Sequence, residues 1–336
     1  MSAPLTVGVD IGGTKVAAGL VDGQGRVHAF ERASTPHRST EPRVVEDVVV
    51  EVVQALLNQA ANQGMPVAAV GVGAAGFVAA DRATVTFAPH LSWRGEPLRD
   101  RLQQRLSLPI SVDNDANAAA WAEYRFGAGR GHARLVTLTL GTGIGGAIVM
   151  DGRVERGQHG MAGEFGHMIM VPQGRRCECG NRGCWEQYAS GNVLQREGQA
   201  LTRAGGPFAA ELERRSAGRP AAVSGSIVTE AALAGDPAAQ ELLAEVGRWL
   251  GLGLANLAAA LDPGCIVIGG GVIAAGDLIL DPAREEMARN LPGRGHRPVA
   301  PIVAAELGPR AGLIGAADLG RQDFLRSQQQ RQGEGQ

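Results

Sequence analysis

The sequence predicts an α/β protein built around a duplicated strand-turn-strand unit and a cysteine-rich loop. Three observations carry this reading. The chain has 336 residues, long enough for two domains, and combines 49 glycines with 4% aromatics, a composition of tight turns and small-residue packing. A strand, a glycine turn and a second strand open the chain at residues 5–32, and the same plan recurs from Arg134. Cys177, Cys179 and Cys184 crowd together downstream of His167.

Composition excludes several classes of function. A net charge of −2, with arginine spread along the chain, leaves no basic face, so neither nucleic acid nor an anionic membrane is an expected partner. No apolar run reaches the roughly 18 residues of a membrane span. The opening MSAPLTVGVD lacks a basic region followed by an apolar segment, so no signal peptide is expected. Reduced cysteines without an export signal fit the cytoplasm.

Taken in order, LTVGVD, KVAAGLVD and RVHAF read as three antiparallel strands joined by hairpins. Asp10 closes the first strand, and Gly12, Gly13 and Thr14, followed by Lys15, form a turn. Such a turn can aim backbone N–H groups and a hydroxyl at phosphate oxygens, or be an ordinary hairpin. Val44, Val45, Val48, Val49, Val52, Val53, Leu56 and Leu57 fall at helical spacing, which predicts an amphipathic helix over 43–63. VAAVGVGAAGFV reads as a buried strand entering a glycine turn at Gly73–Gly76, where backbone amides can approach a ligand.

A short helix near 96–106 leads to the strand PISVDNDAN, which ends in Asp113, Asn114 and Asp115 just before the helical stretch ANAAAWAEYRF. Those polar residues suit helix capping and also suit catalysis at a strand end, and both readings stay open. LVTLTLGTGIGGAIVMDGRV then repeats the opening plan, with Gly141, Thr142 and Gly143 as a second glycine turn able to pinch a polyphosphate against the first.

GEFGHMIMVPQGRRCECGNRGCWEQYAS follows. Three thiolates and an imidazole from Cys177, Cys179, Cys184 and His167 make a Cys3His set, which suits a tetrahedral zinc with no open position and hence a structural metal. A disulfide with a spare thiol competes, but a C-x-C pair closes poorly on itself. Gly174, Gly180 and Gly183 supply permissive backbone, and Glu164 and Glu186 are carried close to the metal without being needed as ligands. Beyond it, residues 189–260 read as helical, with Asp236-Pro237 opening a long helix. CIVIGGGV is a buried strand running into Gly269, Gly270 and Gly271, where a base or ribose can pack. A helix over 276–290, the strand PIVAAEL, a helix over 310–325 and a frayed polar tail complete the chain. There is no P-loop motif, and no glycine cluster has a Rossmann context, so any nucleotide must be held by hairpin turns.

Together these motifs resemble the ROK family of bacterial sugar kinases and sugar-responsive repressors, within the actin-like ATPase and hexokinase superfamily. The resemblance covers residues 5–320. DIGGT at 10–14, LGTGIGGA at 140–147 and IGGGV at 268–272 resemble the two phosphate turns and the adenosine-side turn, the last implying Gly270 and Gly271 as nucleotide contacts. GAAG at 73–76, DNDAN at 113–117, GEFGH at 163–167 and CECGNRGCWE at 177–186 resemble the sugar and zinc elements. The family's usual proline in the GAAG turn is absent.

The resemblance implies a two-lobed actin-like (ribonuclease H-like, hexokinase-type) α/β fold. Residues 1–116 would form one lobe, with helix 310–325 packing back on it, residues 117–309 the larger lobe with the zinc loop, and 326–336 a disordered tail. It implies Asp115 as catalytic base, Gly76, Asn114, Glu164, His167 and Glu186 as sugar contacts, and His167 sharing its two ring nitrogens between zinc and sugar. ATP and Mg2+ are the implied cofactors, with Asp10 toward magnesium, and a homodimer or homotetramer is the implied assembly. Within the family the likeness is greatest to kinases that phosphorylate glucose at its 6-hydroxyl, notably through AAGFV at 74–78. Kinases for N-acetylmannosamine, N-acetylglucosamine, mannose or fructose are the nearest rivals. A repressor needs a helix-turn-helix ahead of the kinase-like body, and DIGGT begins at residue 10.

Overall fold

The computed structural model describes residues 4–333. The chain opens with β1 (Leu5–Ile11), β2 (Lys15–Val21) and β3 (Val27–Ser34), then α1 (Pro42–Asn62). Strands β4 (Val67–Ala74), β5 (Phe77–Val78), β6 (Val85–Phe87) and β7 (Arg94–Glu96) lead to α2 (Leu98–Leu106), β8 (Ile110–Asn114) and α3 (Asp115–Phe126). The second unit begins with β9 (Arg134–Leu140), β10 (Ile144–Met150) and β11 (Arg153–Glu155). After the cysteine loop come α4 (Gly191–Ala204), α5 (Ala210–Arg215), α6 (Gly225–Leu233) and α7 (Pro237–Leu261). β12 (Cys265–Gly269), α8 (Asp277–Asn290), β13 (Ile302–Ala304) and α9 (Ala311–Gly333) finish the chain.

The duplication is visible in the sheets. Of the two five-stranded sheets, one has the order β3-β2-β1-β4-β8 and the other β11-β10-β9-β12-β13, while β5, β6 and β7 form a third, smaller sheet. In the first, β1 is antiparallel to β2 and parallel to β4, which is parallel to β8. In the second, β10 and β11 form the antiparallel hairpin while β12 lies parallel to both β9 and β13. A meander followed by parallel crossovers explains why the opening strands alternate with turns while VAAVGVGA and CIVIG are continuous apolar runs: both faces of a parallel strand are covered.

Two compact bodies result. The first comprises 1–131, 147–162 and 306–336, and the second 132–146 and 163–305. A division after residue 116, as expected from the sequence, would separate α3 from the helix that holds it. Trp121 of α3 donates its indole N–H to Asp318 of α9 at 2.8 Å, and the carboxylate of Glu123 accepts the backbone N–H of Leu307 at 2.9 Å.

α9 lies directly on the first sheet. A Cβ at Gly8 would stand 1.8 Å from the carbonyl oxygen of Leu313, and one at Gly71 1.7 Å from that of Ala316, so only glycine permits this approach. The helix continues through Gly333 where the sequence suggested a stop near 325 and a frayed tail. The Gln- and Arg-rich segment consists of good helix formers, which propagate a helix already nucleated by packing. Positions 334–336 of the expected tail lie outside the described residues.

Helix α1 buries Val45, Val49, Val52, Val53 and Leu56 against the first sheet, while Val44 is 40% exposed. Asp236 caps α7 by accepting the N–H of Ala239 at 2.8 Å, with Pro237 opening the helix.

Candidate active site

In the first body, β8 delivers Asp113, Asn114 and Asp115 to the start of α3. Asn114 is the cap: its side-chain oxygen accepts the N–H of Asn117 at 3.1 Å, and its amide donates to the carbonyl of Gly76 at 3.0 Å. Capping is therefore supplied without Asp115, the first helical residue, whose carboxylate accepts the N–H of Ala116 at 2.9 Å. Gly76 is fixed by space, since a Cβ there would meet the carbonyl of Phe87 at 2.7 Å.

The first glycine turn joins β1 to β2. Gly12 donates its N–H to the carbonyl of Lys15 at 3.0 Å, and the Thr35 hydroxyl donates to the carbonyl of Gly12 at 2.7 Å. Gly13 and Thr14 are exposed, and Asp10 sits just before them. Burial pushes the Asp10 carboxyl up, with the charge of Lys15 opposing.

Sequence reasoning missed the partners of Asp113, which is 3% exposed. Arg156 donates to its carboxylate through Nη2 and through Nε at 3.0 Å, and Arg82 Nε stands 3.3 Å away. These arginines come from distant turns, and no spacing in the sequence signals their convergence.

In the second body the cysteine loop is pinned as a miniature hairpin by bridges Ile169–Cys184 and Arg176–Arg182. Ligand atoms of His167, Cys177, Cys179 and Cys184 all lie within 4.8 Å of one another. The Cys179 and Cys184 sulfurs are 3.6 Å apart, and among the described residues no disulfide joins Cys177, Cys179, Cys184 or Cys265. Three soft sulfurs and one imidazole at this spacing fit a tetrahedral zinc. Gly180 and Gly183 adopt φ of 95° and 83°. Gly174 is required for a different reason than expected: its φ is ordinary, but a Cβ would stand 2.2 Å from the Tyr188 hydroxyl.

The two ring nitrogens of His167 face different groups. Nδ1 lies 3.7 Å from the Cys177 sulfur, while Nε2 lies 3.9 Å from Glu164. Desolvation pushes the Glu164 carboxyl up, His167 opposing it and Glu186 adding to it. Glu186 lies 3.0 Å from the Cys177 sulfur and reaches over the second glycine turn, where a Cβ at Gly143 would stand 2.3 Å from its Oε2. Burial and this carboxylate push the Cys177 thiol up. The N-terminus of α4 holds the same turn, Gly191 donating to the carbonyl of Gly141 at 2.8 Å. Thr142 between them is exposed. Gly270, φ 93°, packs where a Cβ would meet the Leu140 carbonyl at 2.3 Å, while Gly271 faces open space.

Residues 6–323 match the ROK family model, and the chain belongs to that family. It is 46% identical to the glucokinase of Streptomyces coelicolor over 318 residues, covering 95% of this chain and 98% of that one. Among solved structures it is similar to a ROK family glucokinase from Streptomyces griseus in complex with glucose and AMPPNP, with 48% identity, a TM-score of 0.85, and coverage of 95% and 99% of the two chains. It is also similar to the ROK hexokinase from Thermus thermophilus, at 33% identity and a TM-score of 0.77, covering 96% and 99%. The two-lobed actin-like kinase fold expected from the sequence agrees with these matches.

Proposed function

We propose that this chain transfers the γ-phosphoryl group of ATP to the 6-hydroxyl of glucose. The carrying observation is the end-to-end likeness, at 48% identity, to a glucokinase solved with glucose and AMPPNP. Asp115 accepts the hydroxyl proton as the oxygen attacks phosphorus. Asp115 is the first residue of α3, at the end of β8, and the helix cap is provided by Asn114. Asn114, the Gly76 turn, Glu164, His167 and Glu186 are the sugar contacts in this reading.

The turns Gly12–Gly13–Thr14–Lys15 and Gly141–Thr142–Gly143 hold phosphates with backbone N–H groups and hydroxyls, and Gly270 and Gly271 leave room for the adenosine. A magnesium ion accompanying ATP would neutralise phosphate charge, with Asp10 as its carboxylate partner. His167, Cys177, Cys179 and Cys184 would hold zinc, which would supply rigidity to the loop, and the Nε2 of His167 lies toward Glu164. Most of the acceleration then comes from positioning and electrostatics, with the base adding about 10²- to 10⁴-fold.

The same reading gives a cytoplasmic homodimer or homotetramer. No helix among the described residues is long and apolar enough to cross a membrane. A coupled assay across glucose, mannose, fructose, N-acetylglucosamine and N-acetylmannosamine, with ATP and with polyphosphate, tests the proposal. Glucose with ATP should give the highest kcat/KM, and a higher value for another sugar or for polyphosphate would displace it.

A further inference from the structure

Asp113 carries more than the start of a helix needs. One carboxylate oxygen accepts the backbone N–H of Asn114 at 3.0 Å and the side-chain amide of Asn117 at 3.0 Å. Asn117 is in turn the residue whose N–H the Asn114 side chain caps at 3.1 Å. Asp115 is thus bracketed: the residue before it and the residue two after it are both tied to one buried carboxylate.

That carboxylate is held by two guanidinium groups from separate turns. Arg156 follows β11 and steadies itself on the carbonyl of Val154 at 3.0 Å. Arg82 lies in the turn between β5 and β6, at a φ of 52° that is uncommon outside glycine. A second arm of Arg82 reaches Asp323 of α9 at 2.8 Å. Arg326 also approaches Asp323, at 3.6 Å, so three guanidinium groups surround the two carboxylates. Buried ion clusters of this kind add little net stability compared with apolar packing, yet they resist displacement because breaking one leaves a desolvated charge. What such a cluster contributes is a fixed geometry, and here the geometry fixed is that of the β8–α3 junction.

We propose that Asp113, clamped by Arg82 and Arg156, is a positioning residue that sets the place of the Asp115 carboxylate in the transfer reaction. The inference rests on the reading of Asp115 as the base. Rotation of the first turn of α3 would break the bonds of Asp113 to Asn114 and Asn117 together, so the carboxylate of Asp115 keeps its place as substrates come and go.

The test is steady-state kinetics of the full-length protein carrying Asp113→Asn, Asp113→Glu or Arg156→Lys, each alone and combined with Asp115→Asn. Asp113→Asn should lower kcat about tenfold, the scale expected for a sub-ångström to ångström misplacement, and leave the glucose KM within about threefold. Asp113→Glu, which restores the charge, should recover most of the loss. Arg156→Lys keeps the charge but loses the planar fork and should cost about threefold in kcat.

In the Asp115→Asn background each change should cost less than about twofold, because residues that act through one group are non-additive. An unchanged kcat in Asp113→Asn, or the same proportional loss in both backgrounds, would overturn the proposal. Where Asp113→Asn fails to accumulate, Arg156→Lys decides by the same comparison. Near-normal turnover in Asp115→Asn alone marks failure of the base assignment, and is read separately from the other variants.

Discussion

At the residue scale, the structure separates two roles that the DND sequence left entangled. Asn114 supplies the helix cap, so Asp115→Asn should leave α3 folded and glucose still bound. Its kcat should fall by at least about 10²-fold, the low end of general-base catalysis. Turnover within a few-fold of wild type would assign proton removal elsewhere. Cys179 is the one exposed member of the Cys3His set, so replacing it costs little packing. Cys179→Ser should lose zinc and raise the glucose KM together, since structural zinc in small fingers contributes roughly 10–16 kcal/mol of apparent binding free energy. Elemental analysis of the active wild-type protein should find about one zinc per chain, the occupancy of a structural site; none would contradict the assignment. The cysteine cluster was legible because ligand spacing is local. Asp113 was not, because Arg82 and Arg156 reach it through tertiary folding alone.

At the scale of elements, the duplicated hairpins could be read from strand-glycine-strand alternation, and both sheets confirm the plan. What the pattern hid was the reason for individual glycines. Gly143 has no left-handed φ; its constraint is the Glu186 carboxylate above it. Gly143→Val should therefore raise the KM for ATP and also disturb glucose binding through Glu186, where a turn acting on phosphate alone would change only the former. Initial-rate measurements with each substrate varied distinguish these.

The β2–β3 hairpin gives a stability prediction. Asp22 accepts the N–H groups of Gln24 at 2.9 Å and Arg26 at 3.0 Å, and lies 2.9 Å from the His28 ring. Against the upward push of burial, His28, Arg26 and Gln24 hold its carboxyl well below the usual carboxylate range. Its folded value is depressed, so the stabilisation is present above the unfolded value of about 3.9 and is lost as pH falls below it. Asp22→Ala should cost about 1 kcal/mol at neutral pH, allowing for solvent screening, and progressively less in acid. Urea unfolding at pH 7 and pH 3 checks both signs. The length of α9 was the element least legible in sequence. Its polar end shows no periodic apolar face, and its helicity is inherited from the buried Leu313, Ala316 and Ala317 upstream.

At the scale of the whole molecule, the order of elements was legible and the division into bodies was not. Residues 117–131 belong with the first body because side-chain bonds tie α3 to Asp318 of α9, 197 positions from Trp121, and to Leu307 in the segment before that helix. No local pattern encodes such a tie. Sugar preference is likewise a property of the assembled site. Sites that hydrogen-bond a hydroxyl reject analogues lacking it, so glucose should exceed N-acetylglucosamine by at least about tenfold in kcat/KM. Comparable values would place the preference elsewhere in the family.

The measurement that bears most directly on the account is product analysis of the purified protein with ATP, magnesium and glucose by phosphorus NMR. Equal amounts of ADP and glucose 6-phosphate should form, with no other phosphorylated sugar and little ATP hydrolysis when glucose is left out. ATP consumed without sugar, or no phosphoryl transfer to glucose by zinc-replete protein, would contradict it.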